Sequence, residues 1–465
     1  MPSRNALREL KGKHVIVVGL ARSGRMAIEL LTWLGARVTA VDVKPLSEMG
    51  EIADQLMQQG ISCHFGEESH SVLTTADLIV ISPGVPLVSP SLDAARRVGI
   101  PIIAEIELAF PYLEGRLVGV TGTNGKSTTV TMAGAMLEQA GIPVWLGGNL
   151  GTPLSQIALD CLRRNNPLPE YLIVELSSFQ LEAIDMFTPW LAVVLNITGD
   201  HMDRYSTFDD YVMAKARIFQ RQGEEDYGLL NQDDSVVVKL GSSVLSSLMT
   251  FSRHQAVDSG MFVDQGYFMW RINCRTVEVS PLRELRLQGA HNAENAMAAA
   301  SIGLLCGCSA DAVRRVLQTF SGLEHACEHV RDRQGVAFIN DSKATNVAAT
   351  IGALESIGRP IVLIAGGRDK AADFSELSHA VRRYVKTVIL IGESGQTIRE
   401  VLEGADVDAT PMYFEDSLEA AIRLASREAD SGDVVLFSPA CASFDMFQDY
   451  QHRGNQFKEC VHALS

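Results

Sequence analysis

Short apolar runs broken by glycine or small polar clusters alternate along this chain with stretches of helical periodicity. His14-Val-Ile-Val-Val18 passes through Gly19-Leu-Ala-Arg-Ser-Gly24 into an amphipathic stretch, and Arg37-Val-Thr-Ala-Val-Asp42 follows. Asp77-Leu-Ile-Val-Ile-Ser82 runs into Pro83-Gly84. Leu117–Val120 precedes a helix expected over Thr129–Ala140. Further runs cover Tyr171–Glu175 and Leu191–Leu195, and Gly289-Ala-His-Asn-Ala-Glu-Asn-Ala296 enters an alanine-rich helix. Four more strands are predicted over 335–339, 361–365, 387–391 and 433–437. Continuous apolar runs this short read as strands buried on both faces, the mark of parallel sheets. The pattern predicts an α/β protein of three domains with mostly parallel sheets. A Rossmann-like unit is expected over 1–105, a central P-loop unit over 106–322 and a second Rossmann-like unit over 323–465.

Bulk properties narrow this picture. A chain of 465 residues is too long for one core. Its 46% hydrophobic and 21% charged content is that of an ordinary globular protein, and no run of 18 apolar residues exists to span a membrane. The polar opening Met1–Lys13 reads as no secretory leader. Eight cysteines without a CxxC pair read as reduced thiols in a cytoplasmic protein, and Cys306-Gly-Cys308 is too little for zinc. A net charge of −16 with no basic stripe argues against nucleic acid.

The strongest chemical signal is Gly119-Val-Thr-Gly-Thr-Asn-Gly-Lys-Ser-Thr128 between a strand and a helix. Gly122, Thr123, Asn124 and Gly125 form a turn whose N–H groups, with the helix dipole, suit phosphate. Lys126 supplies a charge for the β/γ-phosphates, the Ser127 hydroxyl is placed for Mg²⁺, and Thr128 follows in the first turn. Val120 stands where the strict loop has glycine. Glu175 and His201 end neighbouring strands on the same expected edge, Glu175 as a hard oxygen ligand for Mg²⁺. Asn295 reads either as an adenine contact or as a cap. In the first unit, Ala21 replaces the middle glycine of the dinucleotide fingerprint, and Asp42 ends the second strand. Alone, that unit also supports a nicotinamide-dependent oxidoreductase; a non-catalytic nucleotide sensor is a further alternative. In the third unit, 340–346, 366–370, 392–394 and 438–445 bring cations and hydroxyls to one sheet edge.

Thr121-Gly-Thr-Asn-Gly-Lys-Ser-Thr128 with Glu175-Leu-Ser-Ser-Phe-Gln-Leu-Glu182 resembles the Mur ligases, ATP-dependent amide-forming enzymes of peptidoglycan synthesis. Asp200-His-Met-Asp-Arg-Tyr205, Asn340-Asp-Ser-Lys-Ala-Thr-Asn346 and Ser438-Pro-Ala-Cys-Ala-Ser-Phe-Asp445 are similar to the branch that adds D-glutamate. The resemblance implies ATP, two Mg²⁺ ions, UDP-N-acetylmuramoyl-L-alanine and D-glutamate as ligands of a cytoplasmic monomer. It implies that Leu20, Ala21, Arg22, Asp42 and Gly84 hold UDP, and that Asn149, Ser177, Gln180 and His201 meet the muramoyl-alanine end. Lys126 would hold phosphate, with Ser127, Glu175 and His201 around the metals. Asn295 would meet adenine, and Asp341 and Lys343 the ribose and phosphates. Thr345, Lys370, Ser443 and Tyr450 would hold D-glutamate. The family's matching lysine implies a CO₂-derived carbamate on Lys215, an oxygen-bearing metal ligand; by itself Lys215 reads as a solvated helix lysine. Ala326 stands where the family usually has arginine, for which Arg331 or Arg333 are candidate substitutes, and Ala371 where glycine is common. Domain closure is expected to hinge near Ser321–Glu324.

Overall fold

The computed structural model describes residues 4–149, 151–164, 167–368, 372–405 and 410–464. Three sheets follow one another along the chain, as the spacing of apolar runs predicts. The first holds β1 (His14–Val18), β2 (Arg37–Asp42), β3 (Ser62–Phe65), β4 (Leu78–Ile81) and β5 (Ile102–Ala104). Its order is β3-β2-β1-β4-β5, and every pairing is parallel. The chain reverses direction across the sheet between β1 and β4. The turn after Val18 and the Pro83-Gly84 turn flank the resulting crevice, the usual ligand position of such sheets.

The central sheet begins with β6 (Arg116–Thr121), β7 (Val144–Gly148), β8 (Tyr171–Glu175) and β9 (Leu191–Val194). It continues through β10 (Tyr227–Asn231), β11 (Ser247–Ser252), β12 (Gly260–Asp264), β13 (Tyr267–Ile272) and β14 (Arg275–Pro281). β6 lies between β8 and β9 in parallel register, so the carboxyl ends of the three strands open side by side. β12, β13 and β14 pair antiparallel and extend the sheet. That extension is not evident from apolar runs, because β14 carries exposed polar positions at Arg275, Thr276 and Glu278.

The third sheet holds β15 (Glu328–Arg333), β16 (Val336–Asn340), β17 (Ile361–Gly366), β18 (Val385–Ile391), β19 (Met412–Phe414) and β20 (Val434–Phe437). Its order is β15-β16-β20-β17-β18-β19, with only the β15–β16 pair antiparallel. Runs such as Leu172-Ile-Val174 and Ile361-Val-Leu-Ile-Ala365 are fully buried, which is why they lack strand alternation. Each such aliphatic side chain contributes roughly 2 kcal/mol by burial.

Two glycines are required by close approach. A Cβ on Gly24 would lie 1.9 Å from the Gly19 carbonyl oxygen, so helix Arg22–Trp33 can start only against bare backbone. Gly125 has φ +83°, and a Cβ there would lie 2.0 Å from Asn295 Oδ1. Its left-handed turn starts helix Lys126–Gln139 three residues before the start expected from periodicity.

The first and central units are joined tightly. Just past the boundary, within the central unit, Glu107 accepts backbone N–H bonds from Asp185, Met186 and Phe187 at 3.0, 2.7 and 3.0 Å. Glu105 Oε1 accepts the Ser155 N–H at 2.6 Å, while its Oε2 is buried without a partner. Arg204 donates to the Pro83 and Val85 carbonyls and to Glu182 Oε2 at 2.6 Å.

Candidate active site

The phosphate loop is the turn between β6 and helix Lys126–Gln139, and its shape is held by the segment past β9 and by helix Phe208–Ala216. Asn196, just past β9, grips Asn124 by the backbone: its Oδ1 accepts the Asn124 N–H at 2.8 Å and its Nδ2 donates to the Asn124 carbonyl at 3.1 Å. The Thr123 hydroxyl meets the Thr198 carbonyl and the Tyr211 hydroxyl. Lys126 Nζ bonds back to the Gly122 and Thr123 carbonyls at 2.9 and 2.6 Å. This folds the ammonium over the turn.

Glu175 ends β8 and is buried. Its Oε2 accepts from Ser127 Oγ at 2.6 Å and its Oε1 from Asn149 Nδ2 at 2.8 Å. The structure thus puts Asn149, expected at the substrate, against the expected metal carboxylate. His201 has φ +58° and sets its ring edge-on to Phe179, with centroids 4.6 Å apart and Nε2 3.6 Å from Asp200 Oδ2.

Lys215, on helix Phe208–Ala216, is not solvated: it is 2% exposed, and its Nζ donates to the Gly122 carbonyl at 2.8 Å. It also lies over the Tyr211 ring. Burial first, then the nearby Lys126 charge, drive its pKa well below the usual lysine value, with Asp200 and Glu175 opposing. These surroundings disfavour the charged ammonium at the loop.

A cavity of about 520 Å³ opens between the central and third units. Thr123–Thr128, Glu175, His201 and Lys215 line it from the central sheet; Asn149, Ser177 and Asn295 do so as well. From the third unit come Asp341, Lys343, Thr345, Ser443 and Tyr450. Asp341 is spoken for on both oxygens, accepting the Cys327 N–H and the Ser438 hydroxyl, and burial raises its pKa to about 6. Lys343 Nζ lies 3.4 Å from the Tyr450 hydroxyl and over its ring, so the phosphate and amino-acid candidates adjoin. Lys370 and Ala371 lie outside the described residues. Gln180 does not line the cavity; it forms a capping box with Ser177, whose N–H its Oε1 accepts at 2.9 Å. Leu20, Ala21, Arg22, Asp42 and Gly84 gather at the first sheet's carboxyl edge, where Asp42 Oδ2 accepts the Leu20 N–H at 2.8 Å.

Ala326 lines the cavity, but neither suggested substitute does. Arg331 bonds the Val461, His462 and Leu464 carbonyls at the end of helix Tyr450–Ala463, and Arg333 bonds Ser426. Both sit on β15, whose course takes them from the cavity.

Two residues to which the sequence reading gives no role shape the site: Asn196 and Arg453. Arg453 is 1% exposed, and its guanidinium bonds the Ser342 hydroxyl and the Ser342, Cys441 and Ala442 carbonyls. It ties together the two loops of the third unit that face the cavity. Desolvation lowers its pKa to about 10. A lone helix arginine gives no signal of burial. The polar run after β9 does draw notice to Asn196.

Residues 13–104 match the Mur ligase MurD-like N-terminal domain, 120–303 the Mur ligase middle domain and 327–441 the Mur ligase glutamate ligase domain. The chain is 40% identical over 460 residues to the UDP-N-acetylmuramoylalanine–D-glutamate ligase of Koribacter versatilis, covering 98% of this chain and 99% of that protein. The chain belongs to the Mur ligase family. The same-named enzyme of Geotalea daltonii is 41% identical over 460 residues, at 98% and 99% coverage. The fold is shared with the UDP-N-acetylmuramate-alanine ligase of Thermotoga maritima (TM-score 0.59, 18% identity, 97% and 99% coverage). It is shared too with a pseudomurein peptide ligase of Methanothermus fervidus (TM-score 0.58, 17% identity, 98% and 100% coverage).

This Mur ligase is thus an ATP-dependent amide ligase, and the oxidoreductase and sensor readings fall away. Among the described residues, no three His, Cys, Asp or Glu gather as a metal cluster. The donor set nevertheless fits Mg²⁺: the Ser127 hydroxyl and Glu175 carboxylate are adjoining hard oxygens beside the phosphate loop. A hexacoordinate ion so held would take its remaining ligands from phosphate and water. No helix among the described residues is long and apolar enough to cross a membrane.

Proposed function

We propose that this ligase joins D-glutamate to the L-alanine carboxylate of UDP-N-acetylmuramoyl-L-alanine, through an acyl phosphate, in the cytoplasm and as a monomer. The observation that carries the reading is one cavity shared by the phosphate loop, Lys215 and the third unit's Lys343, Thr345, Ser443 and Tyr450. The relatives named for this reaction align with the chain over almost its whole length.

In this reading residues 1–105 bind the UDP end through Leu20, Ala21, Arg22, Asp42 and Gly84. Residues 106–322 bind ATP, and 323–465 bring the amino acid. Lys126 and the loop N–H groups hold the phosphates, with Asn295 near adenine and Asp341 and Lys343 toward ribose and phosphate. Ser127, Glu175, His201 and a carbamylated Lys215 hold two Mg²⁺ ions, which supply charge neutralisation for the transferring phosphoryl group. The alanine carboxylate attacks the γ-phosphate, giving an acyl phosphate and ADP; positioning and charge stabilisation are the protein's main contribution. Thr345, Lys370, Ser443 and Tyr450 then hold D-glutamate, whose amine attacks the acyl carbon and expels phosphate. The amine's proton goes to solvent, or to His201 where the imidazole is not engaged by the metal.

Substrate labelled with ¹⁸O in the alanine carboxylate tests the route. One label should appear in the released phosphate. Unlabelled phosphate with amide formed would rule out the acyl phosphate.

A further inference from the structure

The central and third units touch through a reciprocal pair of side-chain amides. Asn124 Nδ2 donates to Asn346 Oδ1 at 3.3 Å, and Asn346 Nδ2 donates to Asn124 Oδ1 at 3.1 Å. The same Nδ2 reaches Asp200 Oδ2 at 3.2 Å, beside His201. Asn346 is 7% exposed, and its Oδ1 also accepts the Ala349 N–H at 2.9 Å, capping helix Val347–Ile357. The Asn124 backbone is pinned, because Asn196 bonds both its N–H and its carbonyl, so only the side chain could follow a displaced partner. A reciprocal amide pair needs two donors and two acceptors within about 3.5 Å, so it forms at one relative placement of the units. Thr345 and Lys343 precede Asn346 on the same loop and line the cavity.

We propose that Asn346 is a positioning residue that latches the third unit onto the phosphate loop, so that the amino-acid loop is seated only when Asn124 is in its nucleotide-holding shape. The inference rests on the ligase reading above and adds the contact that couples its two ligand sites. The latch makes nucleotide and amino acid raise each other's affinity, since coupling between two sites is reciprocal.

The test is a double-mutant cycle with Asn124→Ala and Asn346→Ser, read as kcat/KM for D-glutamate at saturating ATP. Serine keeps a capping oxygen, so the thermal midpoint of the ligand-free protein should match that of the unaltered chain. Each single variant should lose roughly tenfold, and the double variant also roughly tenfold, because both remove one interaction. A double loss near a hundredfold, or singles at unaltered activity, overturns the latch. Should Asn346→Ser melt early, Asn346→Asp keeps the cap and enters the same cycle, where additivity again overturns it. Calorimetric titration with ADP separates the latch from the ligase reading. A several-fold weaker ADP affinity in Asn346→Ser supports the latch even if D-glutamate is not the acceptor, and unaltered ADP affinity contradicts it.

Discussion

Ser127 and Glu175 come from different elements of the central sheet and meet oxygen to oxygen at 2.6 Å, both buried beneath the phosphate loop. Parallel register of β6 with β8 brings them together, since Val120 pairs with Glu175 and Ser127 follows one turn later. Glu175→Ala removes the carboxylate and strands the Asn149 amide. The expected result is a loss of about 100-fold in kcat, and Ser127→Ala should instead demand more Mg²⁺. Phosphate release across a Mg²⁺ titration checks both; an unaltered kcat in Glu175→Ala, or an unaltered Mg²⁺ response in Ser127→Ala, would contradict the assignment.

Lys215 is buried against the loop with its pKa lowered by burial, which favours the uncharged amine that the proposed carbamate requires. Protein equilibrated with ¹³C-bicarbonate should give a carbamate carbonyl resonance that Lys215→Arg lacks. Lys215→Arg should be inactive although its positive charge remains. A resonance persisting in the variant would place the carbamate elsewhere.

Arg453→Met leaves the Ser342, Cys441 and Ala442 carbonyls without their donor. A loss of roughly 2–4 kcal/mol in unfolding free energy is expected, with a raised KM for D-glutamate. Denaturant unfolding and steady-state kinetics measure the two, and Arg453→Lys should recover part of each.

Glu105 carries a pKa raised to about 7 by burial, against an ordinary 4.5. Below 4.5 the carboxyl is protonated in both folded and unfolded chains. As pH rises from 4.5 to about 7, the unfolded chain releases its proton first and stability falls; above 7 the difference is constant. Glu105→Gln removes that loss. Its thermal midpoint should exceed that of the unaltered protein at pH 8 and converge with it near pH 5. An equal difference at both values would show that no titration is involved.

Much of this site is legible in the sequence because its residues sit at strand ends, where a parallel fold directs them to one edge. Glu175, His201 and the loop residues 122–128 meet for that reason. The first expectation for Lys215 differs from its place because helix position says nothing of what packs over it; Tyr211 and the Gly122 carbonyl do so from distant segments. Arg453 is hidden for the same cause, being buried by loops about 10 and 110 residues away in sequence. Gln180 looks like a free polar group at a strand end, but the turn needs it as the partner of Ser177. Of the antiparallel strands over 260–281, β14 escapes apolar-run reading because its first four positions, Arg275 to Glu278, are all exposed.

The central claim is D-glutamate addition, and the most direct test is phosphate release with ATP, Mg²⁺ and UDP-N-acetylmuramoyl-L-alanine. It is run with D-glutamate, with L-glutamate and with neither. The account predicts phosphate and a new amide with D-glutamate alone. Equal turnover with L-glutamate, or none with D-glutamate while another amino acid is accepted, would contradict it.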